Sequence, residues 1–500
     1  MKINNPLLNM DMPDMDVIKA NGYFYMVSTT MFFTPGAPIL RSKDLKNWEI
    51  VSYIFEKIED NDIYELKNKK NAYGACQWAT SLAFHNGKFY AAFVCNDMKK
   101  TYIFHSDDIE KSYWERFEIE GIYHDMSFLF WEDKAYLVYG NGDIYIAELN
   151  ENLTGINKNG LNKQLFSTPG KSDGIMLRCE GCRAYVRNGF IYLTFIEWPA
   201  EGEGHFRRRQ ICYRSKSINE DFERKIIFDD DMNYKNCGIA QGCFIEVGSD
   251  WYAMLFQDHG AVGRIPYLIP MKWENNWPVI GVDDKTLAEF EIDMQEEVTN
   301  PIVVSDSFNH GENKLPLQFQ WNHNPINDAW SFTERKGYLR LKNKQLASSI
   351  MDARNTLTER TVTPKSVFTI EGDFSGMKDR DYAGLVAFMG KYGTIGLTKV
   401  SGEYFAVSTQ KERAEIRQNV SEIQGFNCNH FWIRIVFDFE NDDTAYFFYS
   451  VDGEDFVSYG EPLKMQFTLD VFVGYRIGVF SYATKELGGM TDFRNLDFST

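Results

Sequence analysis

Residues 82–94 read LAFHNGKFYAAFV, an apolar strand, the turn Asn86-Gly87 and then a strand rich in aromatic residues. Asn and Gly both tolerate positive φ, so the pair closes a two-residue hairpin whose twist suits its flanking strands. The pattern recurs as VIKANGYFYMVST from Val17, FLFWEDKAYLVYG from Phe128, AYVRNGFIYLTFI from Ala184 and FIEVGSDWYAMLF from Phe244. Aligned on the tyrosine after the turn, Tyr25, Tyr90, Tyr136, Tyr192 and Tyr252 stand about 45–65 residues apart, the length of one four-stranded propeller blade each. Three of the hairpins are followed by an echo, RSKDLKNW from Arg41, HSDDIEKSYW from His105 and RSKSINEDF from Arg214, which reads as an outer strand and turn closing a blade. An all-β, five-bladed β-propeller is therefore expected over residues 1–288.

Five hundred residues exceed what one hydrophobic core serves, so a second domain is expected. After Trp277-Pro278 an acidic stretch, Glu289 to Glu297, reads as a linker. From residue 300 to 500 apolar and polar residues alternate, as in YLRLKNK, SVFTIEGDF, FWIRIVFDF and VGYRIGVFSY, the spacing of a β-sandwich. Aromatic residues make up 15% of the chain, which suits strands better than helices.

The net charge of −18 speaks against nucleic acid or an anionic membrane as partner, since both reward basic patches. A neutral ligand such as a small oligosaccharide fits better. No run reaches the length of a membrane span and no signal-peptide pattern opens the chain, so the expected location is the cytoplasm. The eight cysteines are then most simply free thiols. Cys179-x-x-Cys182 has zinc-ligand spacing, but Cys237 and Cys243 stand too far apart for a second knuckle. Homo-oligomerisation stays open.

Eleven residues before Tyr25 stands Asp14, eleven before Tyr136 stands Asp125, and twelve before Tyr192 stands Glu180. The other two blades carry Ala79, beside Trp78, and Gln241 at that phase. Inner strands of a propeller begin at one mouth of the channel, so three carboxyl groups converge there. A pair of carboxyls flanking a glycosidic bond is the equipment of glycoside hydrolysis, with one activating water and the other protonating the leaving oxygen. Chance repetition among 71 acids is the competing explanation, weakened by the apolar strands that flank all three.

The motifs Met12-Pro13-Asp14-Met15-Asp16-Val17-Ile18, PGAPILRSKDLKNW, QWATSLAFHNGKFY, HDMSFLFWEDKAYLVY, CEGCRAYVRNGFIYL and FQDHGAVGRIPYLIPMKW resemble the blades of glycoside hydrolase family 43. DSFNHGENKLPLQFQWNHNP, WSFTERKGYLRL and ARNTLTER resemble the concanavalin-like β-sandwich of its two-domain β-xylosidase and α-L-arabinofuranosidase branch. The resemblance implies an inverting mechanism with Asp14 as general base, Glu180 as general acid and Asp125 as the residue that orients the pair and keeps the acid protonated. It also implies that Arg264 reaches the bound sugar. Trp78, Phe32 and Phe33 are candidate pocket walls, because sugar faces stack on aromatic rings. Many members carry a histidine just before Gln-Gly in blade five, associated with a calcium site; here Ala240 precedes Gln241-Gly242. No cofactor is therefore expected, no metal ligand is assigned, and a structural Ca²⁺ is the disfavoured alternative.

The expected function is exo-acting, inverting release of terminal L-arabinofuranose from short arabinoxylo-oligosaccharides. STTMFFTPGAP departs from the STFEYFPGVP pattern of many xylosidases, which tips the choice away from β-D-xylosidase. A bifunctional enzyme is the intermediate alternative. A non-catalytic carbohydrate-binding propeller would use the same aromatic residues without an acid–base pair.

Overall fold

The computed structural model describes residues 1–200, 207–412, 415–423 and 426–500. Its first 280 residues contain five four-stranded antiparallel sheets. Each opens with one of the hairpins: Asp16–Ala20 with Tyr23–Val27, Ser81–His85 with Lys88–Cys95, Ser127–Trp131 with Lys134–Asn141, Ile175–Arg187 with Phe190–Pro199, and Ala240–Val247 with Asp250–Asp258. Asn21-Gly22, Asn86-Gly87 and Asn188-Gly189 all have positive φ at both positions, as a two-residue turn between twisted strands requires. The echoes at Arg41, His105 and Arg214 run from the end of each third strand into the turn before the fourth, so they do close their blades. Among the described residues helix is confined to short 3₁₀ turns.

The acidic stretch from Glu289 is no plain linker. Glu289–Glu291 forms a strand paired antiparallel with Lys2–Asn4, in the register Ile3 to Phe290. Asn5 explains the attachment: its side-chain amide donates to the carbonyls of Leu268 and Leu287, and its oxygen accepts from the Leu268 N–H. Backbone pairing to the first residues thus outweighs the charge repulsion that alone would leave this segment extended in solvent.

The remainder folds into two large sheets packed face to face, a β-sandwich. One sheet runs from the edge strand Glu415–Ser421 through Asp381–Phe388 and Arg476–Ala483 to Gln320–Asn322. Its last member, Phe33–Thr34, comes from the propeller. The two domains therefore share a sheet and one continuous apolar core.

That shared core corrects the placing of Phe32 and Phe33 as pocket walls. Both are fully buried at the domain junction. Phe32 stacks on His323 with centroids 4.9 Å apart, and Phe33 packs 6.0 Å from Phe388 with the Arg476 guanidinium 3.8 Å from its ring centroid. The pairing of Phe33–Thr34 with Gln320–Asn322 draws this segment out of the channel mouth and into the neighbouring sheet. Truncating a buried phenylalanine costs about 3–5 kcal/mol. Phe33→Ala should lose stability on that scale in denaturant unfolding, while the folded fraction keeps an unchanged KM for an aryl glycoside; a raised KM with intact stability would return Phe33 to the pocket.

Candidate active site

The phase of the repeat has a conformational cause. Eleven residues before four of the five blade tyrosines stand Asp14 (φ 58°), Asp125 (φ 45°), Gly181 (φ 68°) and Gln241 (φ 65°), all left-handed; Ala79, at that position in blade two, is not. Such a residue kinks the chain where it enters the inner strand, so its side chain is turned across the channel mouth. A non-glycine residue there stores about 1–2 kcal/mol of backbone strain, which the surroundings must hold in place. In blade four glycine takes the strained position and the acid is its neighbour, which accounts for the twelve-residue offset of Glu180. A Cβ at Gly181 would lie 2.8 Å from the Gln241 side-chain carbonyl carbon, so that approach also requires glycine.

Asp14 is held from several sides. Its backbone carbonyl accepts from Arg183 Nη2 at 2.8 Å, its Oδ1 accepts from Gln241 Nε2 at 2.9 Å, and its Oδ2 lies 3.5 Å from Arg264 Nη1. Arg264 in turn is fixed by Asp11, whose Oδ1 accepts the Arg264 N–H at 2.7 Å and whose Oδ2 accepts the Gly474 N–H at 2.9 Å. Asp125 Oδ2 accepts from the Gly181 N–H at 3.0 Å, binding the third blade to the strand that carries Glu180. Glu180 Oε2 accepts from Asn141 Nδ2 at 2.5 Å and lies 3.3 Å from His124 Nε2.

Burial pushes the Asp125 carboxyl up to about 6, with the charges of Glu180 and Asp14 adding to the effect and His124 and Arg183 opposing it. Burial alone would lower the His124 imidazole, but the carboxylates of Asp125 and Glu180 outweigh it and raise the ring to about 9. His124 sits between the two acids, with Nε2 3.3 Å from Glu180 Oε2 and 3.7 Å from Asp125 Oδ2.

Asp14, Asp125, Glu180, Trp78, Gln241 and Arg264 all line one cavity of about 570 Å³. Part of its wall comes from the sandwich, through Met465, Phe467 and Phe472. The Phe472 ring stacks on Trp78 with centroids 5.6 Å apart, and the Arg264 guanidinium lies 4.8 Å from the Phe472 centroid. Gly474 makes this approach feasible, since a Cβ there would stand 2.1 Å from the Val262 carbonyl oxygen. Of the candidate residues only Phe32 and Phe33 lie outside. A second cavity, about 530 Å³, lies further along the channel around Asp16, Ser81, Ser127 and Arg183, and holds none of the three acids in question.

Sequence reasoning missed Arg183, Asn141 and Phe472. Arg183 follows the Cys-Glu-Gly-Cys run directly, so its place in an inner strand was open to inference. Phe472 belongs to another domain and carries no local signal. The sequence suggested no histidine ligand cluster, yet the fold brings ligand atoms of His124, Asp125 and Glu180 within 4.8 Å of one another. Calcium takes six to eight oxygen ligands, whereas this group offers three donors, one of them nitrogen, and its members already hydrogen-bond one another. The set does not fit that ion.

A pocket at a propeller mouth, with separately held carboxyl groups and stacked aromatic walls, carries the equipment of proteins that act on glycosidic bonds. Comparison with known proteins names the family. The profile described as Glycosyl hydrolases family 43 matches residues 3–278, and that of the Beta xylosidase C-terminal Concanavalin A-like domain matches residues 305–499. The chain belongs to glycoside hydrolase family 43. It is 27% identical to a beta-xylosidase of Formosa agariphila over 98% of this chain and 88% of that protein. It is 24% identical to a non-reducing end alpha-L-arabinofuranosidase of Bacteroides ovatus over 76% of this chain and 73% of that one. Among solved structures, a bifunctional GH43-CE protein of Bacteroides eggerthii superposes with a TM-score of 0.92 at 38% identity, covering 99% of this chain but 63% of the longer one.

The raised Asp125 titration has a consequence for stability. An unfolded aspartate titrates near 3.9, so the folded state binds this proton more tightly, and the resulting stabilisation is present below pH 4 and lost as pH rises through about 6. Asp125→Asn keeps an acceptor for the Gly181 N–H and removes the buried charge. Its Tm relative to the parent should be higher at pH 7 than at pH 4; a gap independent of pH would show that Asp125 does not titrate in this window.

Proposed function

We propose that this family 43 glycosidase is exo-acting and inverting, and that it removes terminal L-arabinofuranose from short arabinoxylo-oligosaccharides. The observation that carries the reading is the meeting of Asp14, Asp125 and Glu180 in one cavity that the sandwich walls on one side. A walled pocket accepts a chain end more readily than the middle of a polymer. Trp78 and Phe472 offer apolar surface to the sugar face, and Arg264 offers guanidinium donors to its hydroxyls.

In this mechanism Asp14 takes the proton of a water as that water attacks the anomeric carbon. Gln241 and Arg264 keep its carboxylate aimed at the water. Glu180 gives its proton to the glycosidic oxygen as the carbon–oxygen bond breaks. Asp125 holds the strand of Glu180 through the Gly181 N–H. One displacement on one face inverts the anomeric centre. The reading needs no cofactor.

A second reading, β-D-xylosidase activity, is favoured by the relatives. Proteins named beta-xylosidase or putative beta-xylosidase match at 27% identity over 98% and 90% of this chain. Rates on the nitrophenyl α-L-arabinofuranoside and β-D-xylopyranoside decide between the two sugars, with the arabinofuranoside expected to be the faster. For an arabinofuranoside, proton NMR in the first minutes should show the β-anomer; first appearance of the α-anomer would make Asp14 a nucleophile rather than a base. Asp14→Asn should lose roughly 10²–10⁴-fold in kcat whatever the leaving group, because water still needs its base.

A further inference from the structure

A carboxylic acid that donates a proton has two oxygens, and only one can face the leaving group with hydrogen on it. In Glu180 the two are made unequal by a turn in the neighbouring blade. Asn141 ends the strand Lys134–Asn141, and its Nδ2 donates to Glu180 Oε2 at 2.5 Å. An amide NH₂ has hydrogens and no acceptor lone pair, so the oxygen facing it must be bare. The His124 ring nitrogen Nε2 lies 3.3 Å from the same oxygen.

The turn that carries Asn141 is built for this position. The flanking Gly140 (φ 138°) and Gly142 (φ 78°) adopt conformations other residues avoid, and a Cβ would stand 2.1 Å from Asp143 O at the first and 2.5 Å from Arg178 Nε at the second. The Gly140 N–H donates to His124 O at 2.9 Å, and the Gly142 N–H donates to Cys179 O at 2.8 Å. Asn141 is thus pinned between the residue before Asp125 and the residue before Glu180.

We propose that Asn141 is a positioning residue for the general acid, fixing Glu180 Oε2 as the acceptor oxygen and leaving Oε1 as the oxygen that carries the proton. The inference rests on the reading of Glu180 as the acid. As the glycosidic bond breaks, its electron pair goes to the leaving oxygen, the proton passes from Oε1 to that oxygen, and the new carboxylate charge is met at Oε2 by Asn141 and His124. Such charge-assisted bonds are stronger than neutral ones, so Asn141 contributes most after the proton has left.

The test compares two glycosides of the same pentose in the intact protein, one with a dinitrophenol leaving group and one with an alkyl alcohol. Glu180→Gln sets the scale, because loss of an acid harms only the substrate whose leaving group needs a proton, by roughly 10²–10⁴-fold. Asn141→Ala should raise the ratio of kcat/KM between activated and unactivated substrates about 10-fold over the parent, a part of the Glu180→Gln effect. Asn141→Asp, nearly isosteric and able to keep the turn, should move the alkaline limb of the pH–rate profile to higher pH, because a second carboxylate opposes ionisation of its neighbour. If Glu180→Gln shows the split but Asn141→Ala leaves the ratio within about twofold of the parent, or the limb stays put in Asn141→Asp, the role of Asn141 is overturned and the acid stands. If Glu180→Gln shows no split, the acid assignment itself falls.

Discussion

The buried guanidinium of Arg183 is the interaction on which the pocket depends. It donates to the carbonyls of Asp14, Thr80 and Cys182 and lies 3.4 Å from the Asp16 carboxylate, so one side chain ties blades one, two and four across the channel. A charge that is 2% exposed is tolerated only when it is paired and hydrogen-bonded, and removing a partner from such a site costs roughly 3–5 kcal/mol. Arg183 thereby does two jobs at once. It opposes the burial that raises the Asp16 carboxyl above its usual range, and it helps hold Asp14 in its left-handed conformation.

From that clamp the rest of the mouth follows. Gln77 accepts the Thr30 N–H at 2.7 Å and donates to the Thr80 hydroxyl at 2.8 Å, linking the first blade's loop to the segment that presents Trp78. Gln241 and Gly181 continue the ring toward Asp14 and Asp125. The acids therefore sit on kinked strand entries cross-braced to one another, where mobile loops would let the reacting geometry drift.

The sandwich is part of the same construction. Phe33–Thr34 extends its sheet, Asp11 bonds both the Arg264 and Gly474 N–H groups, and Phe472 packs between Trp78 and the Arg264 guanidinium. A purely stabilising appendage would need only the first of these contacts. The other two mean that this wall of the cavity forms only when both domains are in place.

The repeat of hairpin and tyrosine determined the five blades, and the in-phase acids pointed to the mouth of the channel, because a propeller converts equal position along each blade into proximity at the axis. The alternation beyond residue 300 determined the sandwich for a similarly local reason, since strand period and turn residues are written within a few positions of one another. Tertiary structure alone decided which aromatic residues line the cavity. Phe32 and Phe33 have the composition of a pocket wall, but a strand pairing to Gln320–Asn322, nearly three hundred residues away, pulls them into the domain junction, and Phe472 from the far end of the chain lines the cavity instead. Likewise nothing near Glu180 in sequence announces Asn141 or His124. Those contacts arise where neighbouring blades meet, and a one-dimensional pattern carries no information about which side chains of adjacent repeats will touch.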